Sequence, residues 1–318
     1  SGRGAECKHG VGQTSPMSTP RVVAVVGPTA AGKSELALDL AQALNGEVIN
    51  TDAMQVYRGM DIGTAKLPMH ERRGLTHHLL DFMEVEETAS VAVFQGLART
   101  AISQCHEARV TPVLVGGSAL YTRAILDRLE FPGTDPQVRA RLEAELEAVG
   151  AQALHQRLAS LDASAAADIE PLNGRRIVRA LEVIEITGGP FTATMPQHEY
   201  FYSGAVQFGV RVERAALDER IAQRVRYMWD AGLVEEVRGL EARLRDSRTA
   251  SRAIGYAQVL ALLAGEITEA EAIEKTIVAT RRFVRRQDAW FLKDPRVAWL
   301  EGTDLVGQAL SVLERAES

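Results

Sequence analysis

An α/β fold, a parallel sheet flanked by helices and interrupted by an all-helical insertion, is what the sequence predicts, and three observations predict it. Short β-branched runs alternate with helix-period segments through the first third of the chain. A glycine-rich turn joins the first such run to the first helical segment. From about Asp135 to about Gly188 only the helical period remains.

Each element follows from its own pattern. Arg21 to Val26 reads as a strand, and Leu36, Leu40 and Leu44 recur every four residues on the helix after it. Glu47 to Asn50 forms a second strand ending at Thr51 and Asp52, and Pro112 to Val115 a third ending at Gly116 and Gly117. In such a sheet the ligand site lies beyond the carboxyl ends of the strands. In the insertion, Val138, Leu142 and Leu146 line one helix face, and Ile177, Leu181 and Ile184 another. A strand-like run, Ala205 to Val212, precedes a helix with Leu217, Ile221, Val225 and Met228 as its buried stripe. The last long helix runs from about Glu269 to Lys293. The expected organisation is a flexible leader over 1–20, a core from 21–134 and 205–318, and a helical insertion over 135–204.

Composition limits the function classes. With 318 residues, 46% hydrophobic and 25% charged, the chain can bury a large core plus a smaller insertion. Two isolated cysteines, Cys7 and Cys105, make neither a disulfide framework nor a spaced zinc motif and fit a reducing, cytoplasmic setting. No run reaches the roughly 18 apolar residues of a membrane span, and the Gly/Ser/Thr-rich leader lacks a signal-peptide core. Met17 reads as a candidate native start. The net charge of -6 opposes nucleic-acid binding overall, yet Arg281, Arg282, Arg285, Arg286 and Lys293 concentrate positive charge on one segment.

Gly27-Pro28-Thr29-Ala30-Ala31-Gly32-Lys33-Ser34 matches G-x-x-x-x-G-K-[ST] between a strand and a helix, the context that the motif demands. Its backbone N–H groups would cradle phosphate oxygens, Lys33 would add a point charge, and the Ser34 hydroxyl would ligate Mg2+. The fold is thereby P-loop NTPase-like. A hydrolase of this type would carry a magnesium-binding Asp after an apolar strand. Here Val113 to Val115 leads into Gly116-Gly117-Ser118 instead, and the strand-end carboxylate is Asp52, one strand earlier. That position suits a base or a metal ligand.

At these residues the chain resembles the tRNA isopentenyltransferase family, also called tRNA dimethylallyltransferases. The resemblance rests on the phosphate loop, on Asp52 to Lys66 (D-A-M-Q-V-Y-R-G-M-D-I-G-T-A-K) and on His77-His78-Leu79-Leu80-Asp81. Gly116 to Tyr121, Arg179 to Val183, Ile254-Gly255-Tyr256 and Arg286 to Phe291 complete seven blocks in the family's order. Two positions depart from the pattern: Ser118 stands where Thr is expected, and Ala119 where Gly is common, which requires a backbone without positive φ. The zinc-finger extension of some eukaryotic members is missing, so the shorter, bacterial form is expected.

The resemblance implies roles residue by residue. Gly27 to Ser34 would hold the diphosphate of dimethylallyl diphosphate, with Thr29 near the reacting centre and Arg220 and Arg224 close to the phosphates. By spacing alone, that arginine pair could equally be a solvated helix face. Asp52 would take the proton from an adenine N6 amine. Contacts to a tRNA anticodon stem-loop would come from Asp52, Ala53, Met54, Gln55, Ser118 and Arg139, and from Arg175, Arg176, Ile177, Val178 and Arg179. Arg252, Gly255, Tyr256, Arg285, Arg286, Gln287 and Trp290 would complete them.

Other readings compete at single positions. Phe283, Trp290 and Phe291 interleave with the arginines, the mixture that binds phosphates and stacks bases, although core packing is the stronger expectation for Trp290 and Phe291. Tyr57 and Tyr121 are candidate walls for the allyl tail. His77 and His78 point to opposite sides of an extended segment, and no Cys or third His lies at ligand spacing, which disfavours zinc.

The expected reaction gives N6-dimethylallyladenosine and diphosphate, by an enzyme expected to be monomeric and not membrane-bound. An adenylate isopentenyltransferase acting on free AMP, ADP or ATP is the alternative. A small-molecule kinase and an RNA-binding module with a vestigial P-loop are more distant. A mononucleotide needs neither the helical insertion nor the basic, aromatic helix.

Overall fold

The computed structural model describes residues 21–129, 131–191 and 198–317. The leader expected over 1–20 lies outside the described residues, as do six positions of the insertion. Six strands form one all-parallel sheet: β1 (Arg21–Val26), β2 (Gly46–Asn50), β3 (His77–His78), β4 (Thr111–Val115), β5 (Gly204–Val210) and β6 (Val297–Leu300), in the order β3-β2-β4-β1-β5-β6. Register sets Val23 beside both Val113 and Val206, so β1 is central.

Its alternation explains the layers. Val22, Ala24 and Val26 face one side, where α2 (Val91–Glu107) and α3 (Ala119–Leu126) pack. Val23 and Val25 face the other, against α1 (Lys33–Ala43) and α12 (Leu305–Glu317). With both faces covered, β1 is apolar throughout, as a buried parallel strand must be.

Between β4 and β5 lie α4 (Pro136–Val149), α5 (Ala151–Leu161), α6 (Ala163–Asp168) and α7 (Gly174–Thr187), which share a separate core around Leu142, Leu158 and Ile177. Asp135 caps α4 by accepting from the Gln137 and Val138 amides, with Pro136 in the first turn, where its missing N–H costs nothing. Arg139 and Arg179 both pair with the fully buried Glu182 of α7, tying α7 to α4.

After β5 come α8 (Arg214–Asp230), α9 (Leu233–Asp246), α10 (Tyr256–Leu263) and α11 (Glu269–Phe291). A reciprocal capping box between Thr268 and Glu271 starts α11. The two edge strands, β3 and β6, are elements that periodicity did not predict, because two and four residues are too few to establish a period.

Candidate active site

The phosphate loop leaves central β1 and enters α1. Gly27 and Gly32 take φ of 128° and 94°, conformations that Cβ-bearing residues rarely adopt, and Ala30 is held at 66°. The Lys33 ammonium donates to the Pro28 carbonyl at 2.6 Å, and Ser34 is exposed in the first turn.

Asp52 stands just beyond β2. Asn50 fixes its backbone from both sides, accepting from the Asp52 N–H at 2.8 Å and donating to the Asp52 carbonyl at 3.0 Å. The same Asn50 amide donates to the Leu79 carbonyl at 3.0 Å. The Asp52 carboxylate accepts from the Met54 N–H at 2.8 Å. Burial pushes this carboxyl above the usual aspartate range, against the opposing pull of the Met54 amide, Lys33 and Arg224. Burial, then the Arg224 charge, lowers Lys33 to about 8, with Asp52 opposing. Arg224, half-buried on α8, and Lys33 therefore act on one carboxylate across the crevice.

Two glycines let the strand ends approach. A Cβ on Gly116 would lie 2.9 Å from the Asp52 amide nitrogen and overlap Thr51, and one on Gly117 would overlap the Gln287 amide. Ser118 reaches the Ala53 N–H at 3.4 Å, and Ala119 opens α3 without positive φ, which resolves the departure from the Gly pattern.

Gln287 on α11 is buried, donating to the Gly117 carbonyl at 2.8 Å and accepting from the Thr29 N–H at 3.0 Å. Its side chain is thus engaged with the phosphate loop rather than presented to a tRNA. Tyr256 is likewise corrected: its ring is fully buried against Gly63 and its hydroxyl donates to Glu236. Glu236 also accepts from the Ile62 amide at 2.8 Å, so Tyr256 buttresses the 61–63 turn. Gly255, at φ 92°, is buried as well.

Ile177 and Val178 belong to the insertion core, whereas Arg175 and Arg176 on the same helix are exposed. The difference is helical phase, because consecutive residues turn to different faces. Arg252, Arg285 and Arg286 are exposed, and so is Trp290, at 50%, while Phe291 is core. The core expectation thus holds for Phe291 and fails for Trp290. Arg281 donates to the Asp218 carbonyl at 3.0 Å and faces α8, outside the exposed arginine face. Arg220 is exposed one turn before Arg224.

Tyr57 is fully buried, its hydroxyl donating to the Glu87 carbonyl at 3.2 Å, and cannot wall an open pocket. Tyr121 is half-buried with its ring edge-on to Phe94 at 4.8 Å. Burial, then Tyr57 and Asp52, pushes its hydroxyl up to about 12. Sequence reading missed Asn50 and Glu236; a polar residue at the end of an apolar strand was the available signal for Asn50.

A family model described as IPP transferase matches residues 55–294. The chain is 62% identical over 309 residues to the tRNA dimethylallyltransferase of Streptomyces griseus subsp. griseus, covering 95% of this chain and 99% of that one. To the tRNA dimethylallyltransferase of Thermobifida fusca it is 62% identical over 305 residues, covering 93% and 95%. The crystal structure of the tRNA isopentenylpyrophosphate transferase of Bacillus halodurans is similar at TM-score 0.67 and 40% identity, covering 93% of this chain and 95% of that one. A eukaryotic dimethylallyltransferase acting on tRNA is similar at TM-score 0.79 and 25% identity, covering 94% and 78%.

Proposed function

From the premise that the chain belongs to the IPP transferase family, we propose that Asp52 is the base in transfer of a dimethylallyl group from dimethylallyl diphosphate to N6 of the adenine 3′ to a tRNA anticodon. The observation that carries this reading is a single carboxylate, raised by burial, facing Lys33 and Arg224 across the crevice.

The N6 lone pair is delocalised into the ring, so attack on the allylic carbon benefits from proton removal as the N–C bond forms and the C–O bond to diphosphate breaks. Asp52 receives that proton. The departing diphosphate gathers negative charge, which the phosphate-loop N–H groups, Lys33 and Arg224 stabilise more in the transition state than before it. Thr29 and Gln287 support the loop from the side of α11. An exposed Ser34 hydroxyl, a hard oxygen at the first turn of α1, fits a magnesium ion, which when bound would neutralise diphosphate charge. Tyr121 supplies an aromatic wall for the allyl tail.

For tRNA, the insertion over 135–204 and the exposed arginines of α7 and α11 form the phosphate-binding surface, with Trp290 as a stacking platform. Ala53 to Gln55 and Ser118 border the entering base, which leaves its stack cheaply because it lies in a loop. Arg139 and Arg179 act through Glu182, holding α7 in place rather than meeting tRNA directly. Among the described residues no helix is long and apolar enough to cross a membrane. A cytoplasmic monomer is the reading we adopt.

The test supplies labelled dimethylallyl diphosphate with tRNA, with AMP, and with ATP as phosphoryl donor, to the protein and to Asp52→Asn. Transfer to tRNA alone, reduced roughly 10²- to 10⁴-fold in the variant at unchanged substrate affinity, is expected. Transfer to AMP would establish the adenylate alternative. Near-normal single-turnover rates in Asp52→Asn would remove the base assignment.

A further inference from the structure

Glu47 on β2, His78 on β3 and Cys105 on α2 come from three elements and converge at the edge of the sheet. One carboxylate oxygen of Glu47 lies 2.6 Å from His78 Nε2 and 3.7 Å from Cys105 Sγ, and the three ligand atoms all fall within 4.8 Å of one another. Among the described residues this is the one group of three such side chains so arranged. Sequence spacing disfavoured zinc at His78 because no cysteine lies nearby in the chain; the β2–β3 pairing and the packing of α2 supply both missing ligands.

We propose that Glu47, His78 and Cys105 form a binding site for one thiophilic divalent cation, Zn2+ by its ligand set, distinct from the phosphate loop. A carboxylate oxygen, an imidazole nitrogen and a thiolate are the donors that zinc prefers, and three protein ligands leave a fourth position for water. Tetrahedral bonds of about 2.0 Å to N and O and about 2.3 Å to S set neighbouring ligand atoms roughly 3.3–3.8 Å apart. The observed separations, 2.6 and 3.7 Å from the Glu47 oxygen and at most 4.8 Å between any two ligand atoms, bracket that range. Cys105 is buried while Glu47 and His78 are 29% and 23% exposed, so one wall is dry and the other gives a cation entry.

Two protons move: the Cys105 S–H proton leaves to solvent as the S–Zn bond forms, and the proton that His78 Nε2 shares with Glu47 is replaced by one on Nδ1 through solvent, which frees the Nε2 lone pair, with no change in oxidation state. Without a cation, burial and the neighbouring Glu47 push this thiol up to about 12, so it stays protonated and is a poor nucleophile. Occupancy would pin the two-residue edge strand β3 to β2 and α2. The residues after β3 matter to the active site: Leu79, at φ 62°, accepts from Asn50, and Asp81, at φ 54°, pairs with the buried Lys66. A cation here would therefore stiffen the segment behind Asp52 without touching substrate.

The test is a titration of the full chain, stripped with chelator, with Co2+ and then Zn2+. Expected are a thiolate-to-cobalt charge-transfer band that zinc bleaches, one-to-one zinc binding by calorimetry, and a higher melting temperature with zinc. The band should persist in Cys7→Ser and vanish in Cys105→Ser. His78→Ala and Glu47→Gln should weaken zinc about tenfold or more. No band in the unmodified protein, or a band that survives Cys105→Ser in a folded variant, overturns the site and leaves a hydrogen-bonded packing group. Because these readouts are independent of prenyl transfer, their failure does not touch the assignment of Asp52.

Discussion

The side-chain carbonyl of Gln287 accepts a hydrogen bond from the Thr29 N–H at 3.0 Å, while its amide donates to the Gly117 carbonyl at 2.8 Å. One buried residue of the basic helix thus spans the phosphate loop and the end of β4. The exposed arginine face of α11 and the phosphate loop are thereby joined through one side chain.

Gln287→Ala should therefore damage the donor side. It orphans a buried acceptor and a loop N–H, at a cost of roughly 1–3 kcal/mol for each unsatisfied group. We expect a loss of about tenfold or more in kcat/KM for dimethylallyl diphosphate, with tRNA affinity and its salt slope nearly unchanged. Separate titrations of the two substrates check this; a selective loss of tRNA affinity would return Gln287 to the tRNA contacts.

The pH profile follows from two displaced groups. Asp52 must be ionised to take a proton and burial raises it, so the acid limb of kcat/KM should lie above the ordinary aspartate range, with rate lost as pH falls through it. Lys33 must be charged, and burial lowers it to about 8, so the free enzyme should lose donor capture as pH rises past that value. Bound diphosphate stabilises the ammonium, so the basic limb of kcat should move to higher pH. Profiles of kcat and kcat/KM measured together test both limbs.

Ser34→Ala should mimic removal of magnesium. Both are expected to slow transfer and to weaken diphosphate binding, and chelator should add little to the variant. Full activity in chelator would exclude the role assigned to Ser34.

On α11, Arg282 and Arg286 are exposed, with the Arg286 guanidinium 5.8 Å from the Phe283 ring. Arg282→Ala with Arg286→Ala should weaken tRNA binding and lower the salt slope by roughly one unit for each phosphate that the helix no longer neutralises. Dimethylallyl diphosphate affinity should hold. Earlier melting with unchanged tRNA binding would make this face structural.

Glu182 has no exposed side-chain surface and holds Arg139 and Arg179 together. Glu182→Gln removes the counter-charge of two guanidiniums that keep 32% and 25% of their surface in solvent, a loss of roughly 1–3 kcal/mol. The insertion should loosen before the sheet does. Faster amide exchange in α4 and α7 than in β1 and β4, with weaker tRNA binding, is the expected signature.

Local patterns in the chain were enough to establish its main elements. The phosphate loop, β1, β2 and β4, the insertion helices and α11 were legible because glycine spacing, short β-branched runs and the 3.6-residue period act within a dozen residues. The placement of Asp52 at a strand end followed from the same reading. Which of those residues face each other came from the packed layers. Gln287 meets Thr29 across 258 positions of chain, and no local period distinguishes a buried glutamine from an exposed one on an arginine-rich helix. Tyr256 and Tyr57 became interior because Gly63 and the Glu87 carbonyl pack against them, and Trp290 was left outside by its helical phase. Cys105 came near His78 only through the β2–β3 pairing and the packing of α2 on the sheet. Element type is set by each residue's near neighbours, whereas site composition is set by which faces the folded layers bury together.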